Sequence, residues 1–116
     1  MAKHIQIGHY GEALACIYIE KLGFEILNLN WRQKNWEIDI IAKKQEKLHF
    51  IEVKTKSHNK HGYPETQVGI VKLQRLINAA EEYLHLNPYW ERVSFDILAI
   101  TLQPKVEYYF IEDVYL

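Results

Sequence analysis

Apolar side chains recur along this chain in two rhythms. From Gln6 to Leu22 the large ones, Tyr10, Leu14, Ile17, Tyr18 and Leu22, come three and four apart, and Gly23 follows as a natural helix terminator. That stretch predicts a helix. Phe24 to Asn30 reads as a strand, with Phe24, Ile26 and Asn28 on one face. Two isoleucine-rich strands come next, Trp36 to Lys43 and Leu48 to Lys56, joined by a short polar turn. Ser57 to Glu65, with Gly62 and Pro64, reads as a loop. Thr66 is placed to cap a second helix that runs to Leu86 and stops at Asn87-Pro88. Its apolar stripe is Leu73, Leu76, Ile77, Ala80, Tyr83 and Leu84. Val93 to Thr101 and Val106 to Ile111 complete the set as strands. Helix, three strands, helix, two strands predicts an α/β fold with a mixed sheet flanked by two helices.

At 116 residues the chain has room for one domain, 1–116, which buries about two-thirds of its surface and needs no metal or disulfide staple. A hydrophobic share of 48% with 25% charged residues excludes disorder. No apolar run is long enough for a membrane span, and the first residues lack the apolar segment of a secretory signal. One cysteine, Cys16, excludes an internal disulfide and a multi-cysteine zinc site. A cytoplasmic location without a membrane partner is the expectation. The net charge of −1 gives no global attraction to nucleic acid, so any such attraction must be local.

Chemistry is concentrated in the central hairpin. Closing it about Gln45 and Glu46 makes opposed residue numbers sum to 91, which sets Asp39 across from Glu52 and Glu37 across from Lys54. Period-two alternation then groups these four on one face, leaving Ile38, Ile40, Ile51 and Val53 on the other as a core wall. A loop of odd length would shift this register. Two carboxylates about 5 Å apart repel by roughly 3 kcal/mol at an effective dielectric of about 20. Solvent with Lys54 nearby would relieve that, and so would a divalent cation. Magnesium typically takes one or two carboxylates and completes its shell with water and phosphate. Lys54 could then orient or deprotonate a water, or offset charge building on a phosphate. Glu-x-Lys alone is common on solvated sheet faces, and a purely structural face is the competing reading.

Ile38-Asp39, twelve residues, then Glu52-Val53-Lys54 resembles the PD-(D/E)XK signature of restriction-endonuclease-like nucleases. More closely, the chain resembles the YraN-like family of uncharacterised bacterial proteins over about residues 4 to 100. The residues in that order include Gly8, Gly11-Glu12, Ala15, Leu22-Gly23-Phe24, Asn30, Arg32, Glu37-Ile38-Asp39, Phe50 through Lys56, Lys72, Ala80, Tyr83, Arg92 and Phe95-Asp96. The resemblance implies a nuclease core akin to archaeal Holliday-junction resolvases. Acids matching Asp39 and Glu52 would hold Mg2+ or Mn2+, and a lysine matching Lys54 would assist catalysis. An acid of the first helix, here Glu12, reaches the metal in resolvase-like relatives. Those enzymes act as dimers, so a homodimer is implied, although no dimer surface is legible. Trp36 stands where the family usually has glycine, and would narrow the cleft or stack on a base.

Other residues carry less. Glu12 shares a stripe with Gly8, Ala15, Cys16 and Ile19, and as an acid near a helix N-terminus also has a plain structural role. Glu37 would be a rim acid. The six histidines read as solvated and Cys16 as packing. Asp96 would pair with Arg92 or a helix end. Between Lys54 and Arg75, the cations Lys54, Lys56, Lys60, Lys72 and Arg75 face one acid, Glu65, with Tyr63 inside the run. Lys56, Lys60, Lys72 and Arg75 are therefore candidate phosphate contacts, against the alternative of a solvated surface. These readings converge on a Mg2+- or Mn2+-dependent DNA endonuclease, for branched or damaged DNA, with no small-molecule cofactor. A non-catalytic nucleic-acid-binding or assembly protein that keeps the fold is the alternative.

Overall fold

The computed structural model describes residues 3–58 and 70–114, with side chains described for 9–57 and 73–114. Its elements are α1 (Lys3–Lys21), β1 (Glu25–Gln33), β2 (Trp36–Lys44), β3 (Lys47–His58), α2 (Ile70–Leu86), β4 (Val93–Gln103) and β5 (Glu107–Ile111). The five strands form one sheet in the order β1-β2-β3-β4-β5. β3 and β4 are parallel and the other neighbours antiparallel, because α2 carries the chain back between them. Every predicted element is present. The predicted cap at Thr66 and most of the predicted loop lie outside the described residues, while β3 extends through Ser57 to His58.

The sheet has an apolar cluster on each face. On one face Ala15 and Ile19 of α1 pack with Phe24, Ile40, Ala42, Ile51, Leu98 and Ile100. On the other, Leu73, Leu76, Ala79, Ala80 and Tyr83 of α2 pack with Ile38, Ile41, Leu48 and Phe50. The α2 stripe is the one its spacing predicts. The α1 stripe is rotated: Tyr10 and Ile17 are about half exposed, and Gly11, Ala15 and Ile19 form the buried line. Small residues win there because they let the helix approach closely. A Cβ at Gly11 would collide with the Thr55 side chain on β3.

β1 runs three residues beyond Asn30 and turns through Lys34 and Asn35 into β2, pairing Gln33 with Trp36. The next turn, Gln45 and Glu46, has positive φ at both positions (52° and 64°), the backbone of a two-residue type I′ hairpin. It fixes the register expected for β2 and β3, from Lys44 opposite Lys47 to Ile40 opposite Ile51.

Candidate active site

The β2–β3 ladder stops at Ile40 and Ile51, one step short of Asp39 and Glu52. Ile40 belongs to the cluster under α1 and Ile38 to the cluster under α2, so strand alternation breaks at Asp39. The expectation that Ile38 and Ile40 share a face is corrected accordingly. The cause is a local exchange of partners: Asp39 Oδ2 accepts the Val53 N–H at 2.8 Å, a backbone donor that a regular ladder would satisfy with a carbonyl. Asp39 therefore sits in the gap where β2 leaves β3, not flat on a face.

Glu52 and Lys54 lie one and three residues beyond Ile51 on β3, on the side of Phe50 by alternation, and both are half-buried. Glu37 does not face Lys54. It receives Arg32 Nε at 2.8 Å across the β1–β2 hairpin, at the exposed rim. Glu12 lines a cleft beneath α1 together with Asp39. Burial first, and the Glu52 carboxylate second, push the Asp39 pKa up to about 7. Glu37 and Glu12 add to this, and the Val53 N–H opposes it. Asp39 and Glu12 therefore open into the cleft beneath α1, while Glu52 and Lys54 lie on the α2 side. The expectation that Asp39, Glu52 and Lys54 share one face is corrected: Asp39 and Glu52 approach each other only through the strand gap.

Of the cationic candidates, Lys56 is half-buried on β3 and Arg75 is exposed on α2. Lys72 belongs to α2, but its side chain lies outside the described residues, as does all of Lys60. Trp36 packs towards α2 and lines a hollow with Asn78, Glu81, Glu82 and His85. It is not a wall of the cleft that holds Asp39. Burial raises the Cys16 pKa, with Glu20 and Glu12 adding, so the thiol of this cleft residue stays protonated and unreactive.

A second polar cluster escaped the sequence reading. His49 and Asp96 are buried, with His49 Nδ1 2.6 Å from Asp96 Oδ2. Asp96 Oδ1 accepts from Ser94 Oγ at 2.5 Å and from the Asp113 N–H at 3.0 Å. This replaces both the solvated reading of His49 and the Arg92 partner expected for Asp96. Ser94 donates to the aspartate and not to the histidine, so the trio is no nucleophile relay. It pins the segment after β5 to the sheet. Only the pairing of His49 with Ser94 across the parallel β3–β4 ladder brings these groups together, and no local pattern announces that.

Does this site suit a divalent cation? Asp39 Oδ1 has no hydrogen-bond donor among the described residues, and three further carboxylates raise the cost of its charge. Such a group is relieved by a proton or by a cation. Among the described residues no three His, Cys, Asp or Glu side chains gather into a metal cage. The oxygen donors that line the cleft, Asp39 and Glu12, are of the kind magnesium and manganese take, with waters completing the shell.

A mixed five-stranded sheet with an acid at the β2–β3 gap and Glu-x-Lys on β3 defines a restriction-endonuclease-like core. Within that class, the chain belongs to the uncharacterised protein family UPF0102, whose model matches residues 11–100. It is 38% identical over 100 residues to a UPF0102 protein of Bacteroides thetaiotaomicron, covering 86% of this chain and 83% of that one. A relative from Clostridium perfringens is 40% identical over 113 residues, with 94% and 93% covered. One from Rhodococcus opacus is 37% identical over 113 residues, with 93% and 96% covered. Among the described residues, no helix is long and apolar enough to cross a membrane.

Proposed function

We propose that this protein is a Mg2+- or Mn2+-dependent DNA endonuclease whose centre is the β2–β3 gap. The observation that carries this reading is Asp39: a carboxylate withdrawn from water, one oxygen tied to the Val53 N–H, surrounded by like charge. A cation relieves such an arrangement, and carboxyls perturbed in this way cluster at functional sites. Asp39 and Glu52 would hold the ion, with Glu12 as an auxiliary acid acting from the cleft wall. The ion would supply Lewis-acid stabilisation of a phosphate and a more acidic water. Lys54, two residues beyond Glu52, would orient the attacking water or offset charge building on the phosphate. Lys56, Lys60, Lys72 and Arg75 would bind the backbone of the DNA electrostatically.

The test is a cleavage assay on single-stranded, duplex, flap and four-way-junction DNA with magnesium or manganese. Wild type is expected to cut at least one of them, and Asp39→Asn, Glu52→Gln and Lys54→Ala to lose at least about a hundredfold in rate, the scale of a removed charge-stabilising group. Metal-dependent binding to these DNAs without cutting would favour a non-catalytic nucleic-acid-binding or assembly protein.

A further inference from the structure

We infer that the cleft beneath α1 is a pocket for one unpaired nucleobase, so that the substrate is DNA presenting a single-stranded nucleotide beside the cut. The inference rests on the nuclease reading for the position of the phosphate, and adds what lies next to it. The cleft has a volume of about 280 Å3 and shares Asp39 with the proposed metal site. It lies at the small end of ligand pockets, which run from roughly 300 to 1,000 Å3, so it suits one planar ring system and not a base pair.

Its chemistry selects a base over a phosphate. Ala13, Cys16, Leu29, Ile40 and Val53 give it apolar walls, and among the described residues no lysine or arginine lines it. Glu12 and Asp39 would be engaged by the proposed ion and its phosphate, and the apolar walls that remain suit an uncharged aromatic ring whose polar edge finds hydrogen bonds. The remaining polar walls are His9 and Asn30, side chains that can both donate and accept hydrogen bonds, as a base edge requires.

The backbone is bent to present one of them. Asn30 has φ 49°, a left-handed residue inside a strand, between the Leu29–Ile40 and Trp31–Ile38 pairs. It therefore falls opposite Asp39, where β2 also departs from alternation, and both side chains line the cleft. Asparagine tolerates this left-handed conformation better than most residues, and here it turns the side chain into the cleft. Enzymes that take a base out of its stack read it in such pockets, between apolar walls and a few hydrogen-bonding groups.

The experiment measures binding with calcium, a hard oxygen-seeking cation, in place of magnesium. The probes are a short single strand, the same sequence as duplex, and a base-free tetrahydrofuran-phosphate chain of equal length. Wild type is expected to bind the single strand at least tenfold more tightly than either of the others. Ala13→Phe, which fills the cleft from an exposed helix position, should lose at least tenfold on the single strand and leave the duplex unchanged. Asn30→Gly keeps the left-handed backbone and removes the amide, so it should lose affinity for the single strand alone. Equal wild-type affinity for the three probes, or a uniform loss in Ala13→Phe, overturns the pocket. A wild type that prefers the single strand, loses the preference in Ala13→Phe, and never cuts DNA supports the pocket and counts against the nuclease reading.

Discussion

At the scale of single residues, Asp39 and Asp96 show two ways of keeping a carboxyl group out of water. His49 and Asp96 satisfy each other, with Ser94 and the Asp113 N–H taking the second oxygen. Removing one partner leaves the other buried and underpaired, so His49→Leu should cost about 3 kcal/mol in urea denaturation. Asp39 has no such partner. Its carboxyl titrates near 7 in the fold and near 3.9 in an unfolded chain, so the native state holds a proton that the unfolded state has released. Without metal, stability should therefore fall as pH rises from about 4 to about 7, by about 3 kcal/mol if Asp39 acted alone. Asp39→Asn keeps an acceptor for the Val53 N–H and abolishes that slope. In EDTA it should match or exceed wild type at pH 8 and lose its advantage by pH 4. A wild type and variant with parallel pH profiles would contradict the shifted carboxyl.

At the scale of elements, the instructive case is α1. Large apolar residues at helical spacing point to a face with Tyr10, Ile17 and Leu22, yet the buried line is Gly11, Ala15 and Ile19. Size misleads because close approach to β3 needs small side chains more than greasy ones. Gly11→Ala gains helix propensity but meets the Thr55 side chain, including its Cβ. The overlap should dominate, with a net loss of about 1–2 kcal/mol, and less in a Thr55→Ala background. Equal effects in both backgrounds would mean that the helix adjusts freely. The central hairpin was the opposite case. A two-residue turn with alternating isoleucines set its register from Lys44–Lys47 as far as Ile40–Ile51. The exit of β2 from the ladder at Asp39 was not readable, because it depends on a side chain replacing a backbone acceptor.

For the whole molecule, a net charge of −1 hides a local excess of cations from Lys54 to Arg75. Replacing Lys72 and Arg75 by alanine should weaken DNA binding alike for all sequences. It should also reduce the slope of log affinity against log salt by roughly 1.8 on duplex, about 0.9 per lost phosphate contact. An unchanged slope would return these residues to solvated surface. The order of elements and the motif spacing were local properties, open to a reader of the sequence. The buried His49–Asp96 pair and the α1 cleft were not, since each depends on strands and helices distant in sequence.

The central claim, that Asp39 and Glu52 form a cation site, is tested most directly by thermal unfolding of wild type and Asp39→Asn with and without magnesium or manganese at matched ionic strength. Without metal at pH 8 the variant should be the more stable. With metal at a hundred times its Kd, wild type should gain roughly 2.7 kcal/mol and the variant far less, so that the order reverses. Equal metal gains in the two proteins, or none in either, would contradict the site.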